Sequence, residues 1–139
     1  MTEHFSDLDI VARTLYGEAR GELKQFGLCA LEGVAGVIWN RWQGNPGRFG
    51  VSPREVCLKP YQFSCWNTND PNRAILTQPI LTDAAYGLCQ MVAETFLSGN
   101  AEDITQGANH YHNRWMCPPE WALDQRPLMD IGNHRFYRL

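Results

Sequence analysis

Apolar residues recur along this chain in three helical stripes, each closed by a breaker. Leu8, Val11, Ala12 and Leu15 fall at i, i+3, i+4 and i+7, which puts them on one helix face. Ser6 stands at the N-cap position, with Asp9 three residues on as a weak capping box. The pattern predicts a helix from about Asp7 to about Glu18, ended with the help of Gly21. A second stripe is Leu31, Val34, Ala35, Ile38 and Trp42, stopped by Gly44-Asn45-Pro46-Gly47. The third is Leu81, Ala84, Ala85, Leu88, Met91, Val92 and Phe96. It closes at Ser98-Gly99-Asn100, and Pro79 suits its first turn.

Between the second and third stripes, about Gly44 to Gln78 reads as one long loop. It carries Pro46, Pro53, Pro60 and Pro71, but also Tyr61, Phe63 and Trp66. Such a segment is usually functional or disordered, and its aromatics argue against disorder. After Gly99 the pattern breaks into short strand-like or irregular pieces at Ala108–Asn113, Pro119–Ala122 and Ile131–Tyr137. No repeat and no linker is visible. The expected fold class is mainly α (α+β), one domain over residues 1–139 with a few short strands.

Composition narrows the choice of partner. The chain is 44% hydrophobic and 19% charged, with a net charge of −3. That suits a globular domain and gives no basic stripe for nucleic acid. No apolar run would span a bilayer. The opening MTEHFSDLDIVARTLYGEARGE lacks a basic region and a clean apolar stretch, so it is not a signal peptide. Synthesis in the cytosol is expected, with free thiols. The five cysteines form no CxxC pair, which argues against a zinc ribbon. Cys29 and Cys89 read as small core residues, whereas Cys57 and Cys65 share the loop and would pair only in an oxidising space.

Three blocks carry candidate chemistry. In Tyr16-Gly17-Glu18-Ala19-Arg20-Gly21-Glu22, the apolar stripe ends where Glu18 appears. A carboxyl there meets the negative end of the helix dipole, which favours its protonated form, as a general acid requires. The bland alternative is that Glu18, Arg20 and Glu22 are solvated charges. In Pro60-Tyr61-Gln62-Phe63-Ser64-Cys65-Trp66-Asn67, rings alternate with amides and hydroxyls, which suits a sugar polymer. A loop pinned to the core by its aromatics would look the same. Gly107-Ala108-Asn109-His110-Tyr111-His112-Asn113 and Ile131-Gly132-Asn133-His134 bring three histidines. His110 and His112 would share one strand face. With no HExxH and no carboxylate in register, a cleft-lining strand is the better reading than a zinc site.

Taken in order, VARTLYGEARGE, VAGVIWNRW, PYQFSCWN, GANHYHN and IGNHRFYRL resemble the SleB-like cell-wall hydrolase family, from about Asp9 to Tyr137. The resemblance implies a lysozyme-like, lytic-transglycosylase-like domain acting on peptidoglycan glycan strands. It makes Glu18 the catalytic acid/base. It places Gln62, Phe63, Ser64, Tyr111 and Asn113 on the substrate, and it implies no cofactor and no metal. A monomer is expected, with no nucleic-acid partner and no membrane insertion. Two departures stand out: no exported leader or binding repeat, and His110 and His112 where relatives carry Tyr or Phe. The first looks like a phage or prophage endolysin, made in the cytosol and acting on the wall after release.

The expected cut lies between N-acetylmuramic acid and N-acetylglucosamine, with Glu18 protonating the glycosidic oxygen. A hydrolytic muramidase needs a second carboxylate. Glu22, Asp70 and Asp83 are the nearest candidates, none with a marker of its own. A lytic transglycosylase needs only Glu18 and leaves 1,6-anhydro ends. A zinc amidase or peptidase on His110, His112 and His134, and a non-catalytic glycan-binding module, remain as rivals.

Overall fold

Ser6 accepts a hydrogen bond from the Asp9 N–H at 3.1 Å and starts α1, Asp7–Ala19. The computed structural model describes residues 2–139, so Met1 of the expected domain lies outside the described residues. The helix is covered on more than its apolar stripe: Ile10, Val11, Ala12 and Leu15 are buried, and so are Arg13 and Thr14. Helices α3 (Cys29–Trp39), α4 (Pro53–Leu58), α5 (Pro71–Leu76) and α6 (Ala84–Leu97) pack around it. Thr14 and the Arg13 guanidinium terminus find their partners inside the protein, while Arg13 Nε has none among the described residues. Thr14 accepts the Trp66 indole N–H at 2.9 Å and donates to the Ile10 carbonyl at 2.7 Å. Arg13 donates to the carbonyls of Leu76, Gln78 and Pro79 at 2.7, 2.5 and 3.2 Å. It thereby satisfies oxygens left open where α5 ends.

Several boundaries differ from the sequence reading. Gly21 does not end the first helical run. A 3₁₀ turn at Arg20–Glu22 leads into α2, Leu23–Phe26, and the run stops at Gly27 with φ +73°. Past α3 the chain keeps winding as a π turn over Asn40–Gly44. The expected long loop holds two short helices. Ser52 caps α4 and Asp70 caps α5, each followed at once by a proline, the residue that loses least at a helix start. Helix α6 starts later than Pro79. Asp83 accepts from the Tyr86 N–H at 3.0 Å and acts as its cap. Leu88 and Met91 stay 38% and 48% exposed, so the buried stripe is narrower than the sequence pattern.

A three-stranded antiparallel sheet follows, in the order β1-β3-β2. It consists of β1 His110–Asn113, β2 Met129–Ile131 and β3 His134–Tyr137. Gly132 (φ +58°) and Asn133 make the turn between β2 and β3. Phe136 of β3 pairs with Tyr111 and Met129 on either side. It presses onto Gly33 of α3, where a Cβ would stand 2.9 Å from the ring. Pro119–Ala122 is not a strand: Glu120–Ala122 is a single 3₁₀ turn.

The five cysteines are free. Cys57, Cys65 and Cys89 are buried as expected of small apolar residues, whereas Cys29 is only half-buried. Burial pushes the Cys57 thiol up to about 12, and burial with the nearby Glu18 charge raises Cys65 as well. Among the described residues, no helix is long and apolar enough to cross a membrane.

Candidate active site

The last turn of α1 brings Glu18 to the wall of an open cleft of about 330 Å³. Its neighbour Gly17 explains how the far wall reaches it. A Cβ at Gly17 would lie 2.7 Å from the Cys65 Cβ and 2.9 Å from its Sγ. Only glycine lets the Ser64–Trp66 turn pass this close. As a result the Cys65 N–H donates to Glu18 Oε2 at 3.3 Å. From the opposite side the Tyr111 hydroxyl donates to Glu18 Oε1. One carboxylate is thus oriented by a backbone donor and a side-chain donor from two distant segments.

Tyr111 is itself fixed by rings. Its centroid lies 4.6 Å from His134, 5.6 Å from Phe136 and 6.4 Å from Phe63. Burial, and then the adjacent Glu18 charge, raise its phenol well above the ordinary tyrosine value. It therefore stays a hydrogen-bond donor at neutral pH.

Gln62 and Ser64 line the cleft and are exposed. Gln62 is aimed by Arg41, whose Nη1 donates to Gln62 Oε1 at 3.3 Å. Asn113 also lines the cleft. Its Oδ1 accepts from the Trp115 N–H at 2.9 Å, which leaves its amide N–H groups for a ligand. Phe63 is a correction: it is 2% exposed and does not reach the cleft surface. It supports the site from below, against Tyr111 and under the Arg41 guanidinium at 5.1 Å. The sequence block alternates, but around the 3₁₀ turn Phe63 and Trp66 both turn inward and only the Tyr61 ring stays exposed.

Arg41 is a cleft residue the sequence reading missed. It is 5% exposed, donates from Nε to the Asn109 carbonyl at 2.8 Å, and lies between the Phe49 and Phe63 rings. Burial lowers its basicity, and no carboxylate pairs with it among the described residues. Its signal was a charged residue inside an apolar stripe, between Ile38 and Trp42.

His110 and His112 do share a strand face, but they use it to pack on Trp121, at 5.0 and 5.8 Å between centroids. His134 lies on β3 and its Nδ1 is 3.4 Å from Glu22 Oε2. Burial lowers His110 and His134 to about 4, so both are neutral at pH 7. Among the described residues, no group of three or more His, Cys, Asp or Glu side chains could hold a metal ion.

The candidate second carboxylates all have other duties. Glu22 is not a solvated charge: it is 8% exposed and accepts the Asn133 N–H at 2.7 Å. Burial raises its pKa, and the Glu18 charge adds to the effect. Asp70 caps α5, while Asp83 caps α6 and accepts the Tyr16 hydroxyl. Among the described residues, Glu18 is the only acid that lines the cleft.

The domain is mainly helical, and among the described residues one acid, Glu18, lines its open polar cleft. The Cell Wall Hydrolase family matches residues 30–137, and the chain belongs to that family. It is an enzyme of the cell wall, acting on peptidoglycan. The match begins at Ala30, beyond Glu18, so the reading of Glu18 rests on the geometry above. Two solved structures share the fold. The catalytic domain of the Bacillus cereus SleB protein superposes with a TM-score of 0.72 at 22% identity, covering 98% of this chain and 94% of that one. The catalytic domain of the germination-specific lytic transglycosylase SleB from Bacillus anthracis gives 0.71 at 21% identity, covering 99% and 100%. A comparison with curated protein sequences finds no match. The lysozyme-like class expected from the sequence is the observed one.

Proposed function

We propose that this enzyme is a lytic transglycosylase that cuts glycan strands between N-acetylmuramic acid and N-acetylglucosamine. The observation that carries the reading is the solitary Glu18: among the described residues no other acid lines its cleft, and the neighbouring acids are held by backbone or tyrosine donors. A retaining hydrolase needs a second carboxyl about 5 Å from the acid, and an inverting one needs it at about 6.5–9.5 Å with room for water. Without one, the substrate's own hydroxyl is the simplest nucleophile.

In this scheme protonated Glu18 gives its proton to the glycosidic oxygen as the bond to muramic C1 breaks. Positive charge builds on that sugar, and the N-acetylglucosamine leaves with the proton. The Glu18 carboxylate then takes the proton of the muramic C6 hydroxyl as its oxygen bonds to C1. Glu18 ends protonated, no water is consumed, and the product is a 1,6-anhydro ring. Attack from within the same sugar contributes several kcal/mol through effective molarity. Tyr111 and the Cys65 N–H would hold the carboxylate through both proton transfers. Gln62, Ser64 and Asn113 would bond the hydroxyl and N-acetyl groups of the sugars. The lytic transglycosylase activity named for the Bacillus anthracis relative agrees with this route.

Mass spectrometry of digested peptidoglycan tests the proposal. Muramic ends should be about one water lighter than reducing ends. Reducing muramic ends as the main product would instead identify a muramidase that still uses Glu18.

A further inference from the structure

Tyr61 has a left-handed backbone, φ +64°, and a ring that is 86% exposed. A bulky residue at positive φ is uncommon and strained. Glycine would remove that strain, yet the chain keeps a tyrosine there. The exposed ring adds nothing to the core to offset it.

The position of the ring gives the strain a use. Tyr61 stands in the wall of the Glu18 cleft and also in the wall of a second groove, of about 420 Å³. That groove runs past Leu58, Trp66, Asn67, Thr68, Asn69 and Arg73. Among the described residues, the side chains of Asn67, Thr68 and Asn69 make no hydrogen bond within the protein, and Thr68 and Asn69 are exposed. Arg73 donates to the Trp66 carbonyl and fixes the groove floor. The groove thus offers amide and hydroxyl groups along its length, beside a ring at its junction with the cleft. This chemistry recognises an N-acetylated sugar: ring face on tyrosine, amides and hydroxyls on polar side chains.

We infer that the groove from Tyr61 to Arg73 is a further glycan subsite, in which Tyr61 holds the strand as it runs out of the Glu18 cleft. The inference rests on the glycan-cleaving reading above. The occupant is a continuation of the same strand, because the groove and the cleft share one wall. A substrate too short to pass Tyr61 gains nothing from the groove, and a longer one does.

The test uses peptide-free glycan strands fractionated by length, with kcat/KM measured on a tetrasaccharide and on strands of eight or more sugars. The wild-type protein should gain roughly tenfold from the longer strand, equivalent to about 1.4 kcal/mol. Tyr61→Ala should lose most of that gain and Tyr61→Phe should keep it. A double variant, Asn67→Ala with Asn69→Ala, should shrink the gain without touching the strained residue, so a folding failure at Tyr61 still leaves a measurement. Melting temperatures add a second readout. Tyr61→Gly should melt at or above Tyr61→Ala, because only glycine adopts φ +64° freely. Wild-type length dependence in all these variants would overturn the subsite. So would a wild-type enzyme that cleaves strands with no gain from length, and there the glycan reading itself survives. If no glycan strand is cleaved at any length, both readings fall together.

Discussion

The Tyr111 hydroxyl donates to Oε1 of Glu18 across 93 residues of sequence. Together with the Cys65 N–H it fixes the one acid that lines the cleft among the described residues. Glu18→Gln keeps the shape and removes the titrating proton. A folded protein is expected with lytic activity down by about 10²-fold or more. Turbidity clearing of cell walls, measured beside thermal unfolding, checks this. Wild-type clearing by Glu18→Gln would remove it from the mechanism.

Tyr111 has two duties, and two substitutions separate them. Tyr111→Phe removes the donor but keeps the ring, so turnover should fall while the melting temperature moves little. Tyr111→Ala also empties a site packed by Phe63, His134 and Phe136. It should cost stability on the order of 3 kcal/mol. Gln62→Ala, at an exposed position, should affect turnover and leave unfolding unchanged within about 0.5 kcal/mol.

Glu22 is expected to matter for the fold. Glu22→Ala leaves the Asn133 N–H without its acceptor in a buried corner, a loss of about 1–3 kcal/mol. Glu22→Gln keeps an acceptor oxygen and should cost less. Denaturant unfolding gives the stabilities. A Glu22→Gln variant as inactive as Glu18→Gln, with an unchanged midpoint, would make Glu22 a participant in the chemistry.

Acid should destabilise the protein through its histidines. His110 and His134 bind protons at about 4 in the folded state, against 6.5 for an ordinary histidine. Above 6.5 both states are neutral and nothing is lost. Between 6.5 and 4 the unfolded chain takes up protons that the folded one refuses, so stability falls across that window. Burial is the first cause in each. His112 adds to the effect on His134, and Arg41 and Arg48 to that on His110. Melting temperature against pH should drop less steeply in His134→Gln. Equal slopes, or NMR titration of His134 near 6.5, would contradict the burial argument.

Chelation should leave activity intact, because no step assigned to Glu18 uses a cation. His110, His112 and His134 do not converge: two pack on Trp121 and the third faces Glu22. EDTA treatment followed by a clearing assay decides it. Loss of activity restored by zinc would transfer the chemistry to the histidines.

The sequence by itself determined the local pieces. The stripe from Leu8 to Leu15 with Ser6 in front specified α1 and its start, because helix periodicity and capping act within a few residues. The ends of the middle segment were legible too, though the two short helices inside it were not. Runs of six residues carry too little periodicity to stand out, and only the Ser-Pro and Asp-Pro starts marked them. Tertiary structure alone decided which polar residues share the cleft. Arg41, Gln62, Tyr111 and Glu18 come from four segments, and their meeting depends on packing between elements far apart in the chain. The same packing turned Phe63 inward and buried Glu22 beside Asn133. A side chain's burial follows from what lies opposite it, and no local pattern contains that.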